Sequence, residues 1–167
     1  PGASISSSGF FTWTPTEAQG PGSYSIAVNV NDNGSPSLSA STTISVTVTE
    51  NNAPPVMTPI AGQTVTEGQP MSATASATDS DLPPQVLTFS LEPGAPPGMS
   101  ITPAGAINWT PTEAQGPGTY SVTVRVTDSG GASATGGFTV TVNEANLPPV
   151  FAAISSQTIP EGGTFTA

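Results

Sequence analysis

Carboxylates are the only groups in this chain that could do acid–base or metal chemistry in number. The 167 residues carry 11 Asp and Glu against one basic side chain, Arg125, with no Lys, His or Cys, for a net charge of −10. Without histidine, cysteine or lysine there is no Ser-His-Asp or Cys-His nucleophile, no Schiff base, and no imidazole or thiolate zinc site. Nucleic acid phosphates would be repelled, and no basic patch offsets that. The remaining options are hard-cation binding by oxygen ligands, catalysis by a carboxylate pair, or no chemistry.

A repeat sets where the acids stand. WTPTEAQGPG runs from Trp13 to Gly22 and recurs unchanged from Trp109 to Gly118, 96 residues on. APPVMTPIAGQTVTEGQ returns as LPPVFAAISSQTIPEGG, so that Val56 corresponds to Val150 at an offset of 94. The two-residue difference falls in a loop, where DNGSPSLSAS is longer than DSGGASAT. Glu17 thereby matches Glu113, Asp32 matches Asp128, Glu50 matches Glu144, and Glu67 matches Glu161. Asp79, Asp81 and Glu92 lie in a region present once. Acids scattered for solubility would not keep register, and these gather at strand ends and at the link between repeats. The expected organisation is the C-terminal half of one repeat in 1–50, a complete repeat in 51–145, and the N-terminal start of a third in 146–167. Such a slice of a longer array, joined end to end with a neighbouring chain, would still lack a counterpart of 74–96.

The elements that position the acids read as strands. Tyr120, Val122, Val124 and Val126 alternate with polar residues, as do Tyr24, Ile26, Val28 and Val30. Phe138, Val140 and Val142, and equally Ile44, Val46 and Val48, keep the same period of two, which turns one face to a core and the other to water. Further strands are predicted near 63–66, 71–78, 86–91, 99–102 and 105–108, each bounded by Gly, Pro or Asp. No segment has a helical period, and no apolar run of about 20 residues could cross a membrane. The fold class is therefore all-β: tandem Ig-like or cadherin-like Greek-key β-sandwich repeats of about 95 residues.

ATDSD, DNGSPSLS and VTVTENNAPPV resemble, respectively, the cadherin DxD segment, the cadherin hairpin and the cadherin calcium-binding linker. Over the whole chain the sequence is similar to the bacterial cadherin-like and "Putative Ig" (dystroglycan-type cadherin-like) tandem repeats of large surface proteins. The resemblance implies calcium held jointly by one repeat, the linker and the next. Carried over by position, the first joint would use Glu17, Glu50, Asn52, Asp79 and Asp81. The second would use Glu67, Glu113, Glu144 and Asn146. The sequence departs from the cadherin form in a shorter linker, with Glu50 or Glu144 where cadherins have Asp.

Other motifs have plainer readings. DSG at Asp128–Gly130 has the letters of an aspartic protease loop but falls where a hairpin turn is required. Asn108-Trp109-Thr110 and Asn33-Gly34-Ser35 fit the N-glycosylation pattern, which is frequent by chance. Trp13 and Trp109 could stack on sugars or pack beneath Tyr120. The expectation is a non-enzymatic extracellular or cell-surface segment of an adhesive or fibre protein, stiffened by calcium between adjacent repeats. Its alternatives are a carbohydrate-binding module that uses Trp109 and Trp13 on surface polysaccharide, and a filament subunit that assembles with like chains. Neither nucleic acid nor membrane insertion is expected.

Overall fold

The computed structural model describes residues 2–164 and Thr166. In chain order the strands are β1 (Ser4–Ile5), β2 (Phe11–Thr12), β3 (Gly22–Asn31), β4 (Ser39–Val48), β5 (Val56–Met57), β6 (Gln63–Thr66) and β7 (Met71–Thr74). They continue with β8 (Ala77–Thr78), β9 (Thr88–Leu91), β10 (Ser100–Ile101), β11 (Ala106–Trp109), β12 (Gly118–Thr127) and β13 (Ser133–Asn143). Single 3₁₀ turns, Glu17–Gln19 and Glu113–Gln115, precede β3 and β12. The fold is all-β, as the alternation predicts.

From β5 onward the chain forms a sandwich. One sheet has the order β6-β13-β12-β9 and the other β10-β11-β7, with β5 and β8 paired alongside. β12 and β13 form a long antiparallel hairpin, while β6 runs parallel to β13 with Val140 opposite Gln63 and Val142 opposite Val65. The inward residues predicted by period two, Val122, Val124, Val126, Phe138, Val140 and Val142, are all buried. They meet Ile107 and Trp109 of β11, Val65 of β6, Met71 of β7 and Phe89 of β9. The nonpolar side chains leave water while the Ser and Thr of the opposite face remain hydrated.

The segment predicted as one strand over 71–78 is two. β7 pairs with β11 in one sheet, whereas β8 pairs with β5. Between them the Ala75 N–H donates to Gly105 O at 2.9 Å, and the Ser76 carbonyl accepts from Thr58 N–H at 2.9 Å. The chain therefore changes partners at this point. Gly105 has φ +90°, and a Cβ there would lie 2.4 Å from Ala75 O, so this crossing needs glycine.

Residues 2–50 repeat only the later elements of the sandwich. β3 and β4 pair with Gly22 opposite Val48 and Tyr24 opposite Val46, the register in which Gly118 faces Val142 and Tyr120 faces Val140. Among the described residues, β4 has no partner besides β3. Its inward side chains Ile44, Val46 and Val48 are consequently only half-buried, whereas their counterparts in β13 are buried.

Candidate metal-binding joints

Each joint is built where a long hairpin ends, at the 3₁₀ turn before it and at the start of the next segment. The 3₁₀ turns are fixed locally. Thr112 N–H donates to Gln115 Oε1 at 2.9 Å, and Tyr120 Oη donates to Gln115 O at 2.7 Å. Thr16, Gln19 and Tyr24 repeat both bonds at 2.9 and 2.7 Å. Glu113 and Glu17 open these turns and are thus carried to the same place in each repeat.

Two carboxylate triads result. Glu17, Glu50 and Asp81 bring one oxygen each within 4.8 Å of one another, and so do Glu67, Glu113 and Glu144. The first triad spans the joint: Glu17 and Glu50 belong to the first segment, Asp81 to the sandwich that follows. Glu17 Oε1 also accepts the Leu82 N–H at 3.0 Å, and Asp81 Oδ2 accepts the Ala53 N–H of the linker at 2.9 Å. In the second triad Glu67 is 3 % exposed and accepts the Ala145 N–H at 3.0 Å.

The electrostatics of both triads are unfavourable as they stand. Glu50 Oε1, Glu67 Oε2 and Asp79 Oδ2 are buried without a hydrogen-bond partner. Arg125 is committed to Glu92 and to Ser133 Oγ, the latter at 2.9 Å. Burial, then the charges of Glu17 and Asp81, holds the Glu50 carboxyl above its ordinary pKa. Burial, then Glu67 by charge and hydrogen bond, then Glu113, does the same to Glu144. An all-oxygen donor set with orphaned carboxylate oxygens fits a hard divalent cation such as calcium. The packing is also close, because a Cβ on Gly116 would lie 1.8 Å from Glu67 Oε2.

Of the other expected ligands, Asp79 stands next to the first triad, its Oδ1 accepting the Asp81 N–H at 3.0 Å in an Asx turn. Asn52 is engaged beside that triad. Its amide donates to Asp128 Oδ2 at 3.1 Å and accepts from Gln85. Asn146 is exposed. Sequence reasoning missed a clamp beside the first joint. Gln85 Nε2 donates to Asp81 Oδ2 at 2.9 Å, while Gln85 Oε1 accepts from Ser129 Oγ and Gly130 N at 3.0 and 2.9 Å. Register between Asp128 and Asp32 signalled only the hairpin turn, and Gln85, present once, carried no signal.

The hairpin turns are as predicted, with Asp128 Oδ1 accepting the Ala132 N–H at 2.9 Å and Asp32 Oδ1 accepting the Leu38 N–H at 2.8 Å. Those backbone bonds hold Asp32 below the usual carboxylate range. Trp109 corrects the sugar-stacking expectation. At 2 % exposed it presents no face to a ligand, because its ring packs edge-on to Tyr120 at 5.1 Å and its Nε1 donates to Pro97 O at 3.1 Å. Trp13 packs likewise on Tyr24 at 4.8 Å but is half-buried beside an open cleft.

The "Putative Ig domain" family profile matches residues 54–143. Among solved structures, protocadherin gamma B2 extracellular cadherin domains 3–6 superpose with a TM-score of 0.57 at 21% identity, covering 84% of this chain and 38% of that one. The protocadherin gammaB7 EC3–6 cis-dimer gives 0.56 at 24% identity over 84% and 39%, and gamma B7 domains 1–4 give 0.55 at 17% over 86% and 38%. The chain thus spans under two-fifths of each, and the likeness is one of fold. No curated protein matches the sequence. Among the described residues no helix is long and apolar enough to cross a membrane.

Proposed function

The chain belongs to the Putative Ig domain family, and on that premise we propose that it is a non-enzymatic segment of an extracellular rod whose joints are stiffened by calcium. One observation carries this reading: equivalent residues of successive repeats, Glu17 with Glu50 and Glu113 with Glu144, converge in acidic triads that hold buried, unpartnered oxygens. Glu17, Glu50, Asp79 and Asp81 would hold the ion at the first joint. Glu67, Glu113 and Glu144 would hold it at the second. Bound there, calcium supplies the positive charge that the joints lack. Since Glu17 and Asp81 come from different repeats, shared ligation ties one repeat to the next and restricts bending.

The family and fold argue for a surface or fibre protein in which neighbouring repeats are the main partners, and in such arrays each unit contacts chiefly its neighbours. The function is then reach and stiffness.

Because the chain has no cysteine, spin labels at Ser25→Cys and Thr123→Cys report on the joint alone. Both positions are exposed, in β3 and β12 respectively. Millimolar calcium is expected to narrow the inter-label distance distribution relative to EDTA. A distribution that is equally broad in both conditions contradicts the reading.

A further inference from the structure

We propose that Gln85 is a positioning residue: it locks linker residues Asn52 and Ala53 onto the sandwich without metal, and so presents Asp81 to the first joint. The lock stands on hydrogen bonds alone, whereas the presentation of Asp81 rests on the calcium reading.

Gln85 lies in the loop between β8 and β9, and its carboxamide reaches the linker, Asp81 and the β12–β13 turn. Its Oε1 accepts from Ser129 Oγ and Gly130 N–H at 3.0 and 2.9 Å. Its Nε2 donates to Asp81 Oδ2 at 2.9 Å and to Asn52 Oδ1. Asn52 Nδ2 in turn donates to Asp128 Oδ2 at 3.1 Å, and Ala53 N–H donates to Asp81 Oδ2 at 2.9 Å. The network is closed and its direction is fixed. Gly130 N–H can only donate and the ionised carboxylates can only accept, so each carboxamide has one way round.

Charge explains why the linker is seated in this way. Asp81 and Asp128 are buried, and a buried carboxylate needs hydrogen-bond donors or a cation. The one basic side chain, Arg125, is held by Glu92. Neutral donors take that place: Ala53 N–H and Gln85 Nε2 on Asp81, and Asn52 Nδ2 with Ala132 N–H on Asp128. The fit is close, since a Cβ on Gly130 would overlap the Asn52 carboxamide. The linker therefore moves with the sandwich from Asn52 onward, and bending at the joint falls before that residue. Both bonds to Asp81 go to Oδ2, so the lock steadies the carboxylate and leaves Oδ1 for an ion. Asn52, with both ends of its amide engaged, is a link in the lock and not a side-chain ligand.

The test is amide hydrogen exchange of the 167-residue chain in EDTA, followed by calcium titration of the same samples by NMR. In EDTA the wild-type Ala53 N–H is expected to be protected. Gln85→Ala, Asn52→Ala and Gly130→Ala should each speed its exchange by about tenfold or more. Core amides of β12 and β13 should keep their protection in all three, which shows that the sandwich is intact. In calcium, Gln85→Ala should weaken the binding reported by Leu82 N–H by about tenfold. Ala145 N–H, at the second triad, should titrate as in wild type. An Ala53 N–H that exchanges equally fast in wild type and Gln85→Ala overturns the lock. So does an Asn52→Ala variant that weakens calcium binding but leaves Ala53 protected, which would make Asn52 a ligand. A wild-type Leu82 resonance indifferent to calcium overturns the calcium reading and the presentation of Asp81 with it, while exchange in EDTA still decides the lock.

Discussion

Trp109→Ala is expected to destabilise the 54–143 sandwich by about 3–5 kcal/mol, the cost of truncating a large buried aromatic side chain. For a domain of this size that corresponds to well over 10 °C in Tm, at about 4–8 °C per kcal/mol. The indole lies between the two sheets with Ile107, Val142 and Met71, so truncation opens a cavity that close-packed neighbours cannot fill. It also removes the edge-on contact with Tyr120 and leaves the Pro97 carbonyl without the Nε1 donor. Trp109→Phe keeps an aromatic ring and is expected to cost roughly half as much. Trp13→Ala is expected to cost less than Trp109→Ala, because Trp13 already borders an open cleft. Thermal unfolding followed by near-ultraviolet circular dichroism measures all three. A shift for Trp109→Ala below about 4 °C, or equal to that of Trp13→Ala, contradicts the packing described.

Asp81→Ala is expected to cost about 1–2 kcal/mol in EDTA, and two opposing effects set that figure. The substitution leaves Ala53 N–H and Gln85 Nε2 without the acceptor they share, a loss of about 1–3 kcal/mol for a buried charged acceptor. It also relieves repulsion with Glu17 and Glu50, which are partly exposed and screened, so the gain is a fraction of that loss. Asp81→Asn keeps the side chain's shape and one acceptor oxygen and should fall between Asp81→Ala and wild type. Unfolding midpoints in EDTA give the order. An Asp81→Ala variant more stable than wild type without metal would mean that repulsion outweighs the linker hydrogen bonds.

Residue patterns made the core legible before the structure. Period-two alternation named the buried hydrophobic residues of β12 and β13, since a half-buried strand has one way to place such a pattern. The cadherin resemblance grouped Glu17 with Glu50, and Glu113 with Glu144, and register between repeats makes the two groups equivalent, because identical sequence imposes identical turns. The break at Ala75–Ser76 was not legible: both halves are β-forming, and only the partner strands decide that the chain changes sheets. The contacts of the Asn52 side chain were not legible for a related reason. Its amide is taken by Asp128 and Gln85, and no local pattern ties Gln85 to a linker 33 residues away. Trp109 beside Pro111 could have faced either way; its place at the end of β11 opposite Met71, with its ring against Tyr120, turns it inward.

Thermal unfolding in calcium and in EDTA, at pH 7.5 and pH 5, tests the proposed joint most directly. Glu50 and Glu144 hold their protons more tightly folded than unfolded. Without metal, folding therefore takes up protons, and stability rises as pH falls toward about 4.5, the ordinary value for these groups. Calcium needs the same oxygens deprotonated, so its contribution falls over the same interval. Extracellular sites bind at about 10⁻⁴–10⁻³ M, so several millimolar calcium should add roughly 1–2 kcal/mol per site at pH 7.5, or several degrees in Tm. The account predicts that increment at pH 7.5, its shrinkage at pH 5, and its reduction in Asp79→Asn/Asp81→Asn, which disables the first joint. A Tm that is indifferent to calcium at pH 7.5, or an increment that the double variant retains in full, would contradict it.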